Sequence, residues 1–501
     1  MGTQFIIQPQ WNKVKAYGHS LKQSIFTEKI SHPVIVISLT IISLLISTAI
    51  TVSGLKGAII ILAGILGITL VAAIFINNRI GIIVILIMAY FIMWILRMGV
   101  NFPLGTLMDG MEALLIIRFF LQQKKEKNWK IFKNPISIMV GIWIIYILLQ
   151  VVNPSSESRL AWVYTVRSTA LVMLLYFIFL YNIRTVSFIR LILKLWLALS
   201  VFAALYAFKQ EYFGFFDFED SWLMSDPVIK DLLFIGGSWR KFSIFSDPVA
   251  FAYNMAVACI LCIALITGPF SAKKKTMLSF MAAFFMLVML YSGTRGAYVL
   301  VPAALILLSI LKFSRTIMLA TAVGAVFMGI MIFIPTSNST LVRFQSAFRP
   351  SEDASFNVRK INQKRIQPYI QSNPLGGGLG ATGTWGKRFS PGSYLANFPP
   401  DSGYVRTAVE LGSIGLLIFC IFMFTCLRTG INNFYRINDP ELKTYCLAMT
   451  LIVFALNIGN YPQEALVQFP ISIYFYLTLA IINVSLMLSQ KAGNPYFQKQ
   501  E

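Results

Sequence analysis

Histidine is almost absent from this chain. Its 501 residues hold two, His19 and His32, both in the N-terminal stretch. Charge is scarce as well, at 12% of residues, and acids are the scarcer sign, with 20 Asp and Glu against 42 Lys and Arg. So little charge excludes an ordinary soluble domain. The five cysteines (Cys259, Cys262, Cys420, Cys426 and Cys446) fall in or beside apolar runs, without metal-ligand spacing. Neither a disulfide framework nor a metal site is expected from them. The glycine-rich stretch "NPLGGGLGATG" lacks the G-K-[ST] that a nucleotide P-loop requires.

What is abundant is apolar surface: 57% of the residues are hydrophobic. Runs of roughly 18–22 apolar residues recur, each long enough to cross ~30 Å of hydrocarbon. They predict an all-α polytopic membrane protein with about fourteen spans (twelve to fourteen). These lie near 33–52, 57–76, 80–96, 103–121, 135–152, 161–181, 188–207, 249–267, 276–292, 296–311, 316–335, 404–427, 443–460 and 468–487. The 103–121 run is interrupted by Pro103, Asp109 and Glu112. Nothing at the start reads as a cleavable signal peptide.

The formal net charge of +22 fits basic cytoplasmic loops better than nucleic-acid binding, so no nucleic acid is expected as a partner. With the N-terminus inside, the basic segments "QQKKEKNWKIFK", "NIRTVSFIRLILK", "SAKKK", "LKFSR" and "LRTGINNFYRINDPELK" all fall on the cytoplasmic side. An even span count returns the C-terminus to that side. The expected organisation is a cytoplasmic tail (1–32), one transmembrane domain (33–487) with outer loops at 208–248 and 336–403, and a second cytoplasmic tail (488–501). The second outer loop is basic, against the charge rule. Long loops cross regardless of charge, and an anion site at the outer surface gives the functional alternative.

Several polar residues stand where hydrocarbon makes them costly. Arg167 lies about seven residues inside a span, roughly 10 Å deep at 1.5 Å per residue. It faces either a polar cavity or a partner such as Asp109. Arg240, in "GGSWRKFSIFSDP", precedes the eighth span, and Arg295, in "YSGTRGAYV", sits in a tight outer turn. Within the large loop, "SFNVRKINQKRIQPYIQS" reads as an amphipathic helix. Phe356, Ile361, Ile366 and Ile370 alternate with Arg359, Lys360, Lys364 and Arg365, and Pro368 should kink or end it. Such a helix suits the membrane interface or a packed cap. Gly376 and Gly378 make the following glycine run a tight turn close to a ligand or to the membrane core. Finally "NFPPDSGYVRTAVELGSIGLL" carries Asp401, Arg406 and Glu410 into the twelfth span, with Arg406 a structural partner for Glu410. Asp401 is either a catalytic base or the helix N-cap.

In order and spacing, "RKFSIFSDP", "SGTRGAYV", "RKIN…NPLGGGLG" and "DSGYVRTAVELGSIGLL" resemble the O-antigen ligase and polymerase superfamily over roughly residues 160–430. The resemblance implies a GT-C-like, metal-independent glycosyltransferase of the bacterial inner membrane, with no cofactor. Its donor would be a glycan on a polyprenyl diphosphate in the lipid bilayer, and its acceptor a second glycan or a lipid. The family's diphosphate-binding arginines carry over onto Arg240, Arg295 and Arg359, with Arg167 as a further candidate. Ligases of the family have a His where this chain has Asp401, which favours a polymerase of surface polysaccharide, of the O-antigen, capsule or exopolysaccharide type. The rival from another class is a flippase for lipid-linked oligosaccharides, for which internal repeats and midplane polar sites would speak.

Overall fold

A computed structural model describes residues 77–99, 104–235, 237–337, 339–348 and 354–492, with isolated positions between 40 and 75. The chain divides into two compact units, Met1–Ile76 and Asn77–Glu501. All that follows concerns the second. The expected spans near 33–52 and 57–76, both histidines and the N-terminal tail fall almost wholly outside the described residues.

Helices occupy every expected stretch from 80–96 onward. The first are α1 (Asn78–Arg97), α2 (Leu104–Glu126), α3 (Pro135–Leu149), α4 (Arg159–Asn182) and α5 (Val186–Tyr212). A loop region follows with α6 (Asp217–Leu223), α7 (Pro227–Leu233) and a two-residue antiparallel hairpin, β1 (Phe234–Ile235) with β2 (Ser238–Trp239). Next come α8 (Pro248–Ile266), α9 (Ala272–Leu290), α10 (Arg295–Tyr298), α11 (Leu300–Leu311) and α12 (Arg315–Phe333). The long loop carries α13 (Ser339–Ser346), α14 (Ala354–Ser372) and α15 (Gly383–Phe389). The chain closes with α16 (Gly403–Arg436), α17 (Pro440–Gly459) and α18 (Ile471–Ala492). Among the described residues, nine helices are long and apolar enough to cross a membrane. The protein is an all-α integral membrane protein.

Helix starts follow local chemistry. Asp247 accepts hydrogen bonds from the N–H groups of Val249 and Ala250, and Asp439 accepts one from Leu442 N–H. Each is followed by a proline at the first helical position, where no N–H is needed. Asn134, Ser158 and Thr185 cap α3, α4 and α5 in the same way. Within the bundle, α8, α17 and α18 are almost entirely surrounded by protein, whereas α12 is wholly peripheral. Some polar groups in the interior are paired with one another. Tyr176, for example, bonds Ser137 and Asn134, and Asn483 donates to both Tyr176 and Asn134.

Two expectations for the loop helix change. Pro368 does not end α14, which runs on to Ser372. The apolar residues also do not share one buried face. Ile366 and Ile370 pack with Leu395, Phe398 and Val409, while Phe356 and Ile361 are exposed.

Candidate functional site

The sharp turn Ser292–Thr294 between α9 and α10 organises the first part of the site. Ser292 Oγ donates to Met289 O and accepts from Thr294 N–H, and Thr294 Oγ1 donates to Pro248 O. Gly293 has φ +58°, and a Cβ there would stand 3.0 Å from the guanidinium carbon of Arg343. At Gly296 a Cβ would meet Tyr253 Oη at 2.9 Å and Pro462 at 3.1 Å. Both glycines of S-G-T-R-G are therefore dictated by close approach, one to a cation from α13 and one to the chain after α17.

Arg240 crosses this turn. Its Nε donates to Ser292 O (2.9 Å), its Nη2 to Thr294 Oγ1 (3.1 Å) and its Nη1 to Leu232 O (3.3 Å). Burial, then the neighbouring Arg343 and Arg295, push its guanidinium down to about 10, against the pull of Asp247 and Tyr298. Arg343 is lowered too, again first by burial, with Arg295 adding to the effect. Three guanidiniums thus share one small region, and the charges of Arg343 and Arg295 add to the cost of ionised Arg240. Among the described residues no salt bridge joins Arg240 or Arg343 to a carboxylate. Arg343 Nε is buried without a hydrogen-bond partner there. Arg343 was visible in the sequence only as one of many loop cations. The signal that singles it out is Gly293, whose missing side chain makes room for it.

Asp401 lies on the far side of a shared turn. Gly403 N–H donates to Asn460 O at 2.9 Å, and a Cβ on Gly403 would fall 2.2 Å from Asn460 Oδ1. The segment Asn460–Pro462 is thus in contact with Gly403 at one end and Gly296 at the other. Asp401 is not the helix cap. Ser402 holds that position, and Asp401 precedes it with φ +49°, a left-handed conformation uncommon outside Gly, Asn and Asp. Its surface is open, yet the protein around it removes enough water to raise the carboxyl above the ordinary range, an effect that Arg359 of α14 opposes. Arg359 also lies within electrostatic reach of Tyr253, the residue packed on Gly296. The contacts at Gly296 and Gly403 thus place the 460–462 turn between the S-G-T-R-G segment and the start of α16, and Arg359 acts electrostatically on both Tyr253 and Asp401.

Glu410 is held apart from this group. It is buried and accepts from Gly380 N–H (3.0 Å), Thr382 N–H (3.3 Å) and Thr382 Oγ1 (2.5 Å), while Arg406 Nε approaches at 3.1 Å. Arg406 Nη1 reaches Glu464 at 2.6 Å. The glycine run is the counterpart. Gly377 and Gly378 N–H donate to the carbonyls of Val409 and Glu410, and Ile414 N–H to Pro374 O. These bonds fill a break in α16 at Gly412, where φ is +73°. A Cβ on Gly376 would overlap backbone atoms at that break, and one on Gly378 would strike Ser156. The glycines thus serve close backbone packing against a membrane helix. Arg167 pairs with Asp109 at 3.0 Å and lies over the Tyr164 ring.

The fold is that of a polytopic helical membrane protein with a cationic cluster near Asp247 and with Asp401 preceding α16. Residues 277–420, less than a third of the chain, match the family described as O-antigen ligase. The matched segment takes in Arg295, Arg343, Arg359, the glycine run, Asp401 and Glu410; Arg240 and Arg167 lie before it. A search of curated proteins finds no match.

Proposed function

We propose that the protein is a glycosyltransferase that takes a glycan from a polyprenyl diphosphate at the outer face of the inner membrane and adds it to a growing surface polysaccharide. The supporting observation is the cluster of Arg240, Arg295 and Arg343 around the Ser292–Thr294 turn, with Asp401 and Arg359 across the 460–462 turn. A polyprenyl diphosphate leaves the sugar readily once its developing charge is neutralised, and guanidiniums fixed beforehand supply that neutralisation without reorganising. In the transfer, an acceptor hydroxyl oxygen bonds to the anomeric carbon while the bond from that carbon to the diphosphate oxygen breaks. The electron pair leaves with the diphosphate onto the arginines, and the hydroxyl proton passes to Asp401. A carboxyl raised above the usual range is a stronger base than an ordinary aspartate and suits that step. Asp401 in place of the ligases' His supports polymerase over ligase.

Purified protein supplied with a lipid-linked repeat unit should lengthen it. Arg240→Ala and Arg343→Ala should each weaken donor binding by roughly tenfold or more, the size expected for one charge-assisted contact to phosphate. Asp401→Asn should bind donor but not extend it. Movement of the donor across vesicles without extension would replace this reading with transport. Full activity in the arginine variants would remove the site assignment.

A further inference from the structure

The arginine cluster stands at one end of α9. At the other end, roughly 25 Å away along the helix at 1.5 Å per residue, lysines from three helices meet. Lys275 lies near the start of α9, Lys312 is the residue that ends α11, and Lys443 lies near the start of α17. They belong to "SAKKK", "LKFSR" and "NDPELK", basic segments that the charge rule puts on one side of the membrane. Packing brings these segments together. The loop between α8 and α9 lies against α17: a Cβ on Gly268 would stand 2.8 Å from Thr444 Cγ2, and the Phe270 ring is 6.5 Å from that of Tyr445. Lys312 Nζ donates to the carbonyl of Thr267, which caps α8, at 2.5 Å and so ties α11 to the same loop.

All three residues are half-buried. Burial, then the charges of Lys275 and Lys443, push the Lys312 ammonium below its ordinary value. Lys275 and Lys443 also stand close to helix N-termini, where the dipole disfavours a cation. Among the described residues no salt bridge joins any of the three to a carboxylate. The acids beside Lys443 in the chain are taken elsewhere. Glu441 accepts from Arg190 Nε and Nη2, both at 2.6 Å, and from Tyr445 Oη, while Asp439 caps α17 at Leu442 N–H. Three cations are thus held together at a cost that an anion beside them would relieve. Next to Lys312 the surface turns apolar. Ile306 and Ile310, 58% and 65% exposed, lie four residues apart on one face of α11, and Phe313, 80% exposed, follows just past its end.

We infer that Lys275, Lys312 and Lys443 bind the phosphodiester head group of an anionic phospholipid, whose acyl chain runs over Phe313, Ile310 and Ile306. The phosphate supplies the missing anion, and its oxygens accept from the ammonium groups. The apolar residues beside the cations suit a molecule that carries both parts. A zwitterionic lipid would add its own cation to the three and is disfavoured. This site lies at the opposite end of α9 from the arginines, and it does not depend on the glycosyl-transfer reading.

The full-length protein in a neutral detergent is titrated with dioleoyl phosphatidylglycerol or dioleoyl phosphatidylcholine, and bound lipid is counted by native mass spectrometry. The anionic lipid should be retained about tenfold more tightly or better, since one lysine near a lipid phosphate contributes roughly fivefold. Lys275→Gln and Lys443→Gln should each weaken its retention by roughly fivefold. Lys130→Gln, which removes an exposed cation between α2 and α3, should leave it unchanged. Lys312 is kept in these variants, because its bond to Thr267 also serves the fold. Equal retention of the two lipids overturns the inference. So does an equal loss in the Lys130, Lys275 and Lys443 variants, which would mean diffuse attraction to a basic surface. Soluble glycerophosphoglycerol, the head group without its chains, separates the two sources of phosphate. It should displace the lipid only weakly, and displacement at equal concentration would replace the lipid with a free phosphodiester.

Discussion

Replacing Gly376 with alanine tests how the glycine run is built into α16. Gly376 has φ +74°, and its added Cβ would lie 2.4 Å from Gly412 N and 2.5 Å from Glu410 O. These are backbone atoms of a membrane helix and cannot rotate away. Gly383 offers a control, because its φ is +70° yet a Cβ there meets nothing within 4 Å. Both variants carry the left-handed strain of about 1–2 kcal/mol. Gly376→Ala adds the overlap, about 1–3 kcal/mol more if it behaves as an overpacked site. At about 2 °C per kcal/mol for a large chain, the two should differ by roughly 2–6 °C in Tm. A thiol-reactive dye in detergent reads this directly, since Cys259, Cys262, Cys426 and Cys446 are buried and become reactive on unfolding. Equal Tm values, or a milder Gly376→Ala, would refute the packing argument. Gly376→Ala should also lose transfer activity, because the same loop holds Glu410.

If Asp401 accepts the proton, activity requires its ionised form. It should be full above the raised pKa and fall as pH drops through it, with the acid limb above the ordinary aspartate range of 3.8. Arg359→Ala removes the cation that opposes the shift, so the limb should move to higher pH; a limb moving down would exclude the contact. Arg406→Ala strands Glu410 and Glu464 without their shared cation, and a loss on the order of 3–5 kcal/mol should show as a lower Tm and poor recovery from the membrane. A normal Tm for that variant would mean that the trio contributes little to stability.

The helices were readable from hydropathy because a bilayer leaves the backbone no other way to satisfy its hydrogen bonds. That constraint acts over each twenty-residue stretch, so local sequence carries it. Caps such as Asp247–Pro248 and Asp439–Pro440 are equally local. Arg240, Arg295, Arg359 and Asp401 were named from their neighbours in the chain and from family resemblance. Their arrangement was not readable. Asp401 sits at the start of α16 without capping it, and only the backbone geometry shows the difference. Arg343 joins the cluster through an empty position on Gly293, some fifty residues earlier. The amphipathic pattern of α14 named four apolar residues, and only the packing of Leu395 and Phe398 shows that Ile366 and Ile370 are the ones covered by protein.

The sequence by itself determined the class of protein, its helical stretches from residue 80 onward and the chemical types available to its site. Tertiary structure alone decided which cations meet at the Ser292–Thr294 turn. It also set where α16 breaks to take in the glycine loop, and how the 460–462 turn joins Gly296 to Gly403. The physical reason is distance along the chain. Membrane insertion is sensed residue by residue, whereas a cluster of like charges, or the Arg406–Glu410–Glu464 trio, exists only after segments tens to hundreds of residues apart have packed.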